Sequence, residues 1–189
     1  KLFGEYELEA HHTIETGCEN FLSGQGGPFC SIMFTFHRAL SMYAMVRKNR
    51  KARKYLKQAK RLRKELSLLL KKGNPNVAHY VSLLNAEHAA LKEKYQEENV
   101  SKLYNGGIMA SKRGGFVMDA ALGHERFADF LLRDIGDIEE AEYHIKQAIR
   151  CYTNWGAMGK VEHLRKQYQG ILDGEHHEDT TLAVVHFSK

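Results

Sequence analysis

The stretch over residues 131–161 reads LLRDIGDIEEAEYHIKQAIRCYTNWGAMGKV. Its apolar residues recur every three or four positions, which is the period of a helix that buries one face. Gly136 with Asp137 interrupts this period, and Trp155 with Gly156 interrupts it again. Such interruptions are typical of helix ends. The stretch therefore predicts two helices joined by a tight turn at 136–137 and a third helix after Gly156.

The same period continues on both sides of this stretch. Apolar residues keep intervals of three and four from about Phe29 to about Tyr168, with hardly any alternation of period two. Further breaks occur at 73–75 and 114–115. We predict an all-α protein with helices near 29–47, 50–71, 76–93, 96–113, 117–134, 137–154 and 157–168. Because the connections are short, successive helices should be antiparallel and form three hairpins and a closing helix.

An internal repeat links the second helices of the three predicted hairpins. Each carries a small, a large and a small residue at positions i, i+4 and i+7, which lets neighbouring helices approach closely. The predicted packing residues are Ala52, Leu56 and Ala59; Val100, Tyr104 and Gly107; and Ala141, Ile145 and Ala148. Glu87 stands at a position that holds Ala39 and Ala128 in the other two hairpins. The repeat predicts an α-solenoid of stacked hairpins.

The third hairpin has the spacing of a tetratricopeptide repeat, with Gly136 at the turn and alanine at the close-packed positions of its second helix. We therefore expect one tetratricopeptide-like domain over 29–168. A partly ordered N-terminal extension over 1–28 precedes it and a tail over 169–189 follows it. Trp155 should be buried as the end cap of the solenoid, with Gly156 supplying the turn; the alternative is that Trp155 anchors a partner. The end of the tail, 178–189, is either disordered or an adhesive strand.

Composition excludes several classes of protein. The chain has 189 residues, of which 43% are hydrophobic and 27% charged, and this suits one folded domain. No apolar stretch approaches the roughly 18 residues that span a bilayer, so a transmembrane protein is not expected. Cys18, Cys30 and Cys151 are widely spaced and odd in number. They predict reduced thiols and an intracellular protein, soluble or peripheral to a larger complex.

Three segments carry a resemblance to a known family. They are NPNVAHYVSLLNAEHAALK (74–92), VSKLYNGGIMASKRGGF (100–116) and DAALGHERFADFLLRDIGDIEEAEYHIKQAIRCYTNWGAMGKVEHLRKQY (119–168). The most specific part is the YxxWGAxxKV ending, which is formed by Tyr152, Trp155, Gly156, Ala157, Lys160 and Val161. This sequence resembles the tetratricopeptide-like region of large hybrid sensor histidine kinases, which lies between an AAA-type ATPase module and a GAF domain. The resemblance implies a spacer or interaction scaffold, in a signalling protein or as a structural subunit of a larger assembly.

The common motifs of catalysis and metal binding do not occur in the sequence. There is no GxSxG, no GxxxxGK[ST] and no GxGxxG. The chain has 11 histidines, yet no HExxH or HxxxH pair places two of them on one helical face. His88 and His124, each beside a glutamate, are therefore expected to be structural. We predict a non-enzyme without catalytic residues, cofactor or metal; a small hydrolase or metal enzyme is the weaker alternative.

The second predicted helix is strongly basic. Between residues 47 and 72 there are thirteen Lys or Arg and one acid, Glu65, which is a local balance of +12 in a chain of net charge +5. Five of these cations lie on one stripe opposite the apolar residues: Arg50, Lys54, Lys57, Arg61 and Lys64. We predict an electrostatic docking face for an acidic surface of another protein. The alternative is a nucleic-acid or anionic-surface binding protein that acts through helix 50–71, and steep salt dependence would identify it.

Overall fold

The computed structural model describes residues 28–48, 53–92 and 94–174, and this part of the chain is helical with no strand. The α-helices are α1 (Pro28–Lys48), α2 (Arg53–Lys71), α3 (Ala78–Ala89), α4 (Glu97–Arg113), α5 (Val117–Phe130), α6 (Ile138–Trp155), α7 (Met158–Gln167) and α8 (Gln169–Leu172). A 3-10 turn, Pro75–Val77, precedes α3, and a π-helical turn, Leu131–Ile135, ends α5. For the described residues the prediction of an all-α fold is confirmed, while the stacking of hairpins into a solenoid stays a prediction.

Several predictions fall on residues that lie outside the described ranges. They concern the N-terminal extension up to residue 27, Arg50, Ala52, Cys18 and the end of the tail over 178–189. The first residues of the predicted tail are described, and they form α8.

The helices end near 136 and 156 at the glycines from which the sequence predicts these ends. Gly136 and Gly156 adopt the left-handed conformation, with φ of 82° and 83°. Glycine has no Cβ that would clash there, so it ends a helix at little cost. The Asp137 side chain accepts a hydrogen bond of 2.9 Å from the Glu140 N–H and so caps the start of α6.

The chain divides into two compact units, one ending at Tyr95 and the other beginning at Gln96. This boundary falls between the two helices that the sequence assigns to the second hairpin. In the first unit α1 packs on α2 and α3, and α2 packs on α3. The rings of Phe36 and Tyr80 stack there with centroids 4.3 Å apart.

In the second unit α5 packs between α4 and α6, while α7 and α8 pack on α6. Every residue over 119–128 of α5 is buried, so this helix is central to the core. Tyr104 of α4 stacks on Phe127 of α5 with ring centroids 5.1 Å apart.

The single repeat domain over 29–168 stays a prediction.

The predicted packing residues are almost all inside. The fully buried ones are Ala59, Val100, Tyr104, Gly107, Ala141, Ile145 and Ala148. Leu56 is half-buried. These positions are consistent with close helix contacts inside each unit.

The predicted burial of Trp155 is wrong, because 51% of this residue is exposed. Trp155 continues the buried line of Ala148 and Tyr152, but α6 ends there. The Ala157 N–H donates to the Tyr152 carbonyl as the chain reverses at Gly156. Helix α7 then covers Tyr152, with the Lys160 ammonium 5.9 Å from the centre of its ring, and Trp155 lies beyond the covered part.

Candidate functional site

The outer face of α2 carries the predicted cations. Lys54, Lys57, Arg61 and Lys64 are all exposed. They recur at intervals of three and four, so they share one side of the helix. Leu68 follows Lys64 by one turn on the same side and is 46% exposed. We call these five residues, which add Leu68 to four of the five predicted cations, the docking face.

The opposite side of α2 holds the helix in the first unit. Ala59, Leu62 and Leu66 are buried there, with Leu66 only 1% exposed. The helix packs on α1 and α3. The apolar side therefore fixes the helix, and the basic side is left to solvent.

The positive charge of the docking face has little internal compensation. Arg61 Nε lies 3.6 Å from Glu65 Oε1, a pair in which both side chains are partly exposed and which adds little stability. In the described part of the chain no carboxylate pairs with Lys54, Lys57 or Lys64. These three cations remain available to a ligand.

Arg47 and Arg63, which belong to the same basic stretch, point inward instead. Arg47 donates from Nη1 to the Glu87 carboxylate and from Nη2 to the Glu87 carbonyl at 3.3 Å. Arg63 Nη1 donates to the Asn85 side-chain oxygen at 2.6 Å and lies beside Tyr43, whose pKa burial raises to about 12. Glu87 is fully buried at a position that elsewhere holds a small alanine. The sequence indicated this mismatch but not the Arg47 partner, and the surface charge is correspondingly lower than the raw count.

Two histidines meet in the core of the second unit. His124 Nδ1 and His144 Nδ1 are 2.7 Å apart, so one ring donates to the other, and both residues are buried. Burial and the nearby Lys112 lower the pKa of His124 to about 3 and that of His144 to about 4. Both rings are therefore neutral near pH 7. Among the described residues no group of three or more His, Cys, Asp or Glu could hold a metal ion.

A buried polar network joins α5, α6 and α7. The Glu125 carboxylate accepts a hydrogen bond of 2.9 Å from the Tyr152 hydroxyl and one of 2.7 Å from Lys160 Nζ. All three residues are at least nine-tenths buried. Burial raises the pKa of Glu125, and the Lys160 charge opposes that rise. Two residues of the YxxWGAxxKV ending thus bind one carboxylate of the central helix.

A second pair of polar contacts extends this network. Asp129 lies one turn after Glu125. Its carboxylate accepts a hydrogen bond of 2.6 Å from the Tyr168 hydroxyl and one of 2.9 Å from Arg126 Nη1. Burial, with the Asp129 charge beside it, raises the pKa of Tyr168 well above its usual value. Sequence reasoning missed both acids, because helical periodicity marks which residues face inward and does not show which polar residues pair there.

No known protein family, curated protein or solved structure matches this chain. In the described ranges none of the helices is long and apolar enough to cross a membrane.

Proposed function

We propose that this protein is a non-catalytic helical interaction module whose docking face on α2 binds an acidic surface of another protein. The observation that carries the proposal is the exposure of Lys54, Lys57 and Lys64 on one side of α2. The buried residues on the other side of α2 anchor this helix in the first unit. Clustered cations of one sign repel one another unless a partner or counterions neutralise them. An acidic partner would remove that repulsion.

Leu68 favours a protein partner over a nucleic acid. Its exposed side chain lies in line with the cations, and burying such a side chain against a partner stabilises the complex by about 1–2 kcal/mol. A phosphate backbone offers no apolar surface for it. Single-stranded nucleic acids also stack on exposed aromatic rings, and the aromatic residue of α2, Tyr55, is half-buried. Nucleic-acid or anionic-surface binding through the same cations is the second candidate, favoured by the charge density alone.

The buried ionisable groups support a structural role for the remaining chemistry-bearing residues. Glu87 pairs with Arg47, Glu125 with Lys160, and His124 with His144. Each group is engaged by a neighbour inside its own unit. Catalytic function is therefore not part of the proposal.

The proposal includes the architecture and setting that the sequence suggests. Small residues at Ala59, Gly107 and Ala148 are buried, as stacked tetratricopeptide-like hairpins would require. A spacer or scaffold, inside a signalling protein related to hybrid sensor kinases or as a subunit of an assembly, would use such stacked hairpins. The exposed Trp155 and Met158, each 51% accessible, offer it a second contact.

Photocrosslinking tests the docking face directly. The full chain with a benzophenone amino acid in place of Leu68 is irradiated in lysate of the source cells, and crosslinked species are identified by mass spectrometry. A matched control carries the same group at Met109, which is 56% exposed in the other unit. We expect an acidic protein to crosslink at position 68 and not at 109. Crosslinks to nucleic acid, or identical products from both positions, would contradict the proposal.

Salt dependence separates the two candidates. Binding driven by phosphate contacts weakens linearly in log salt: for each contact, log K falls by about 0.9 for every tenfold increase in salt concentration. Binding to an acidic protein surface that also buries Leu68 should retain affinity at high salt, and Leu68→Ser should remove that residual part. Fluorescence anisotropy with the crosslinked partner and with a DNA duplex of equal charge supplies the comparison.

A further inference from the structure

A groove opens between α6, α7 and α8 in the second unit. Its volume is about 530 Å³, within the range of roughly 300–1,000 Å³ that is typical of ligand sites. Ile149 and Leu172, both half-buried, give it an apolar floor. Space of this size accommodates one large side chain and the backbone on either side of it.

The rim of the groove is basic. Lys146, Arg165 and Lys166 line it, all three exposed, against a single acid, Asp173. Lys146 Nζ lies 2.6 Å from Glu142, which takes up part of its charge. In the described residues no carboxylate pairs with Arg165 or Lys166. The groove therefore combines an apolar floor with unpaired cations at its edge.

We propose that this groove binds an acidic peptide segment of a partner protein that carries one large apolar side chain. The apolar side chain would lie on Ile149 and Leu172, and the flanking carboxylates would meet Arg165 and Lys166. Charge complementarity selects acidic sequences, and the floor selects those with an apolar anchor. This site lies on the second unit, so it adds to the proposed function and is tested independently of the docking face on α2.

A simpler role for the two cations makes a different prediction. Arg165 and Lys166 occupy the last turn of α7, where positive side chains offset the partial negative charge of the helix end. If that were their only role, removing them would lower helix stability and change no binding. Peptide binding therefore distinguishes the two.

Selection of short random peptides displayed on phage against the full chain tests the proposal. We expect enriched peptides to contain several Asp or Glu around one Leu, Ile, Phe or Trp. The most enriched peptide, made synthetically with a fluorescein label, should shift the backbone NMR signals of Ile149, Arg165 and Leu172. Arg165→Gln with Lys166→Gln should weaken binding about tenfold, which corresponds to about 1.4 kcal/mol shared between two solvent-exposed ion pairs.

Controls keep the result specific. Lys102→Gln with Arg113→Gln makes the same charge change at exposed positions of α4 outside the groove and should leave the affinity unchanged, while Leu172→Ser should weaken it. No enrichment of acidic peptides, or NMR shifts confined to α2, would overturn the proposal. A chain that ends at Gly174 and binds the peptide at least tenfold more tightly than the full chain would also overturn the proposal. Residues 175–189, which include Glu175, Glu178 and Asp179, would then be the competing occupant of the groove. Self-association that Arg165→Gln with Lys166→Gln abolishes would assign the groove to a second copy and overturn it as well.

Discussion

Replacing Lys160 by methionine should expose how much the Glu125 network contributes to folding. The methionine side chain would keep most of the volume and remove the ammonium that lies 2.7 Å from the Glu125 carboxylate. The carboxylate would then be buried without its cation. Removing one partner of a buried ion pair costs about 3–5 kcal/mol, a large part of the roughly 5–15 kcal/mol by which a domain is stable.

The reverse substitution and the double variant make the argument quantitative. Glu125→Gln keeps an oxygen for the Tyr152 hydroxyl and leaves Lys160 as an unpaired buried cation, so it should cost a similar amount. The double variant has no buried charge, and we expect it to cost only about 1–3 kcal/mol, because an amide and a thioether tolerate burial better than one lone ion. The two single costs should therefore exceed the double cost by about 3 kcal/mol or more.

The assay is urea denaturation followed by far-UV circular dichroism, with the free energy of unfolding extrapolated to water. Lys166→Met, at an exposed position of the same helix, is the matched control and should change stability by less than about 0.5 kcal/mol. Additive single costs, or a Lys160→Met variant as stable as the control, would refute the structural role of this ion pair.

The pH dependence of Lys160→Met gives an independent check. Burial already raises the pKa of Glu125, and loss of the Lys160 charge should raise it further. In the unfolded chain this carboxyl has its ordinary pKa, so the variant loses stability as pH rises through the unfolded and then the folded pKa. The difference in stability between the variant and the natural chain should therefore shrink on acidification from pH 7 towards 5. A constant difference would show that lost packing, and not the buried charge, causes the destabilisation.

Three further outcomes are expected. Because His124 and His144 are neutral when folded, with pKa values lowered to about 3 and 4, protons bind the unfolded chain first as pH falls below 6.5. The free energy of unfolding should then fall by up to about 1.4 kcal/mol per pH unit for each ring. His144→Gln removes one of the two rings, so urea titrations of this variant should give a smaller slope of the free energy of unfolding against pH, and an unchanged slope would contradict this. Ala148→Leu should overpack a fully buried position and cost about 1–3 kcal/mol, so an unchanged melting temperature would contradict the packing. Trp155, the single tryptophan, should emit at long wavelength and be quenched readily by iodide, whereas a blue-shifted and protected emission would place it inside.

Helix positions were predictable from the sequence because local residues determine them. Gly136 and Gly156 end helices wherever the rest of the chain packs, and the three-and-four spacing of apolar residues marked the inner face of α2 correctly through Ala59, Leu62 and Leu66. The exposure of the four cations of the docking face followed from the same reasoning, since cations on the side opposite an apolar stripe lie in solvent. The exposure of Leu68 was not predicted.

Tertiary contacts were beyond such reasoning. Whether Trp155 is covered depends on the direction in which α7 leaves Gly156, and a helical period carries no information on that direction. The pairing of Glu125 with Lys160 joins residues 35 positions apart, and that of Arg47 with Glu87 joins residues 40 apart. The one usable signal was a charged residue at a small-residue position, as at Glu87, which indicates a buried ion pair without naming its partner.

Charge exchange across the interface tests the central claim most directly. Lys54, Lys57 and Lys64 are changed together to glutamate, and the affinity for the protein crosslinked at position 68 is measured by titration calorimetry. A control triple variant makes the same charge change at the exposed Lys102, Arg113 and Arg150. We expect the docking-face variant to fold with a nearly unchanged melting temperature and to lose binding, the control to bind normally, and lysines introduced at the contacting acids of the partner to restore binding. Equal affinity for both triple variants, or no restoration by the partner's lysines, would contradict the account.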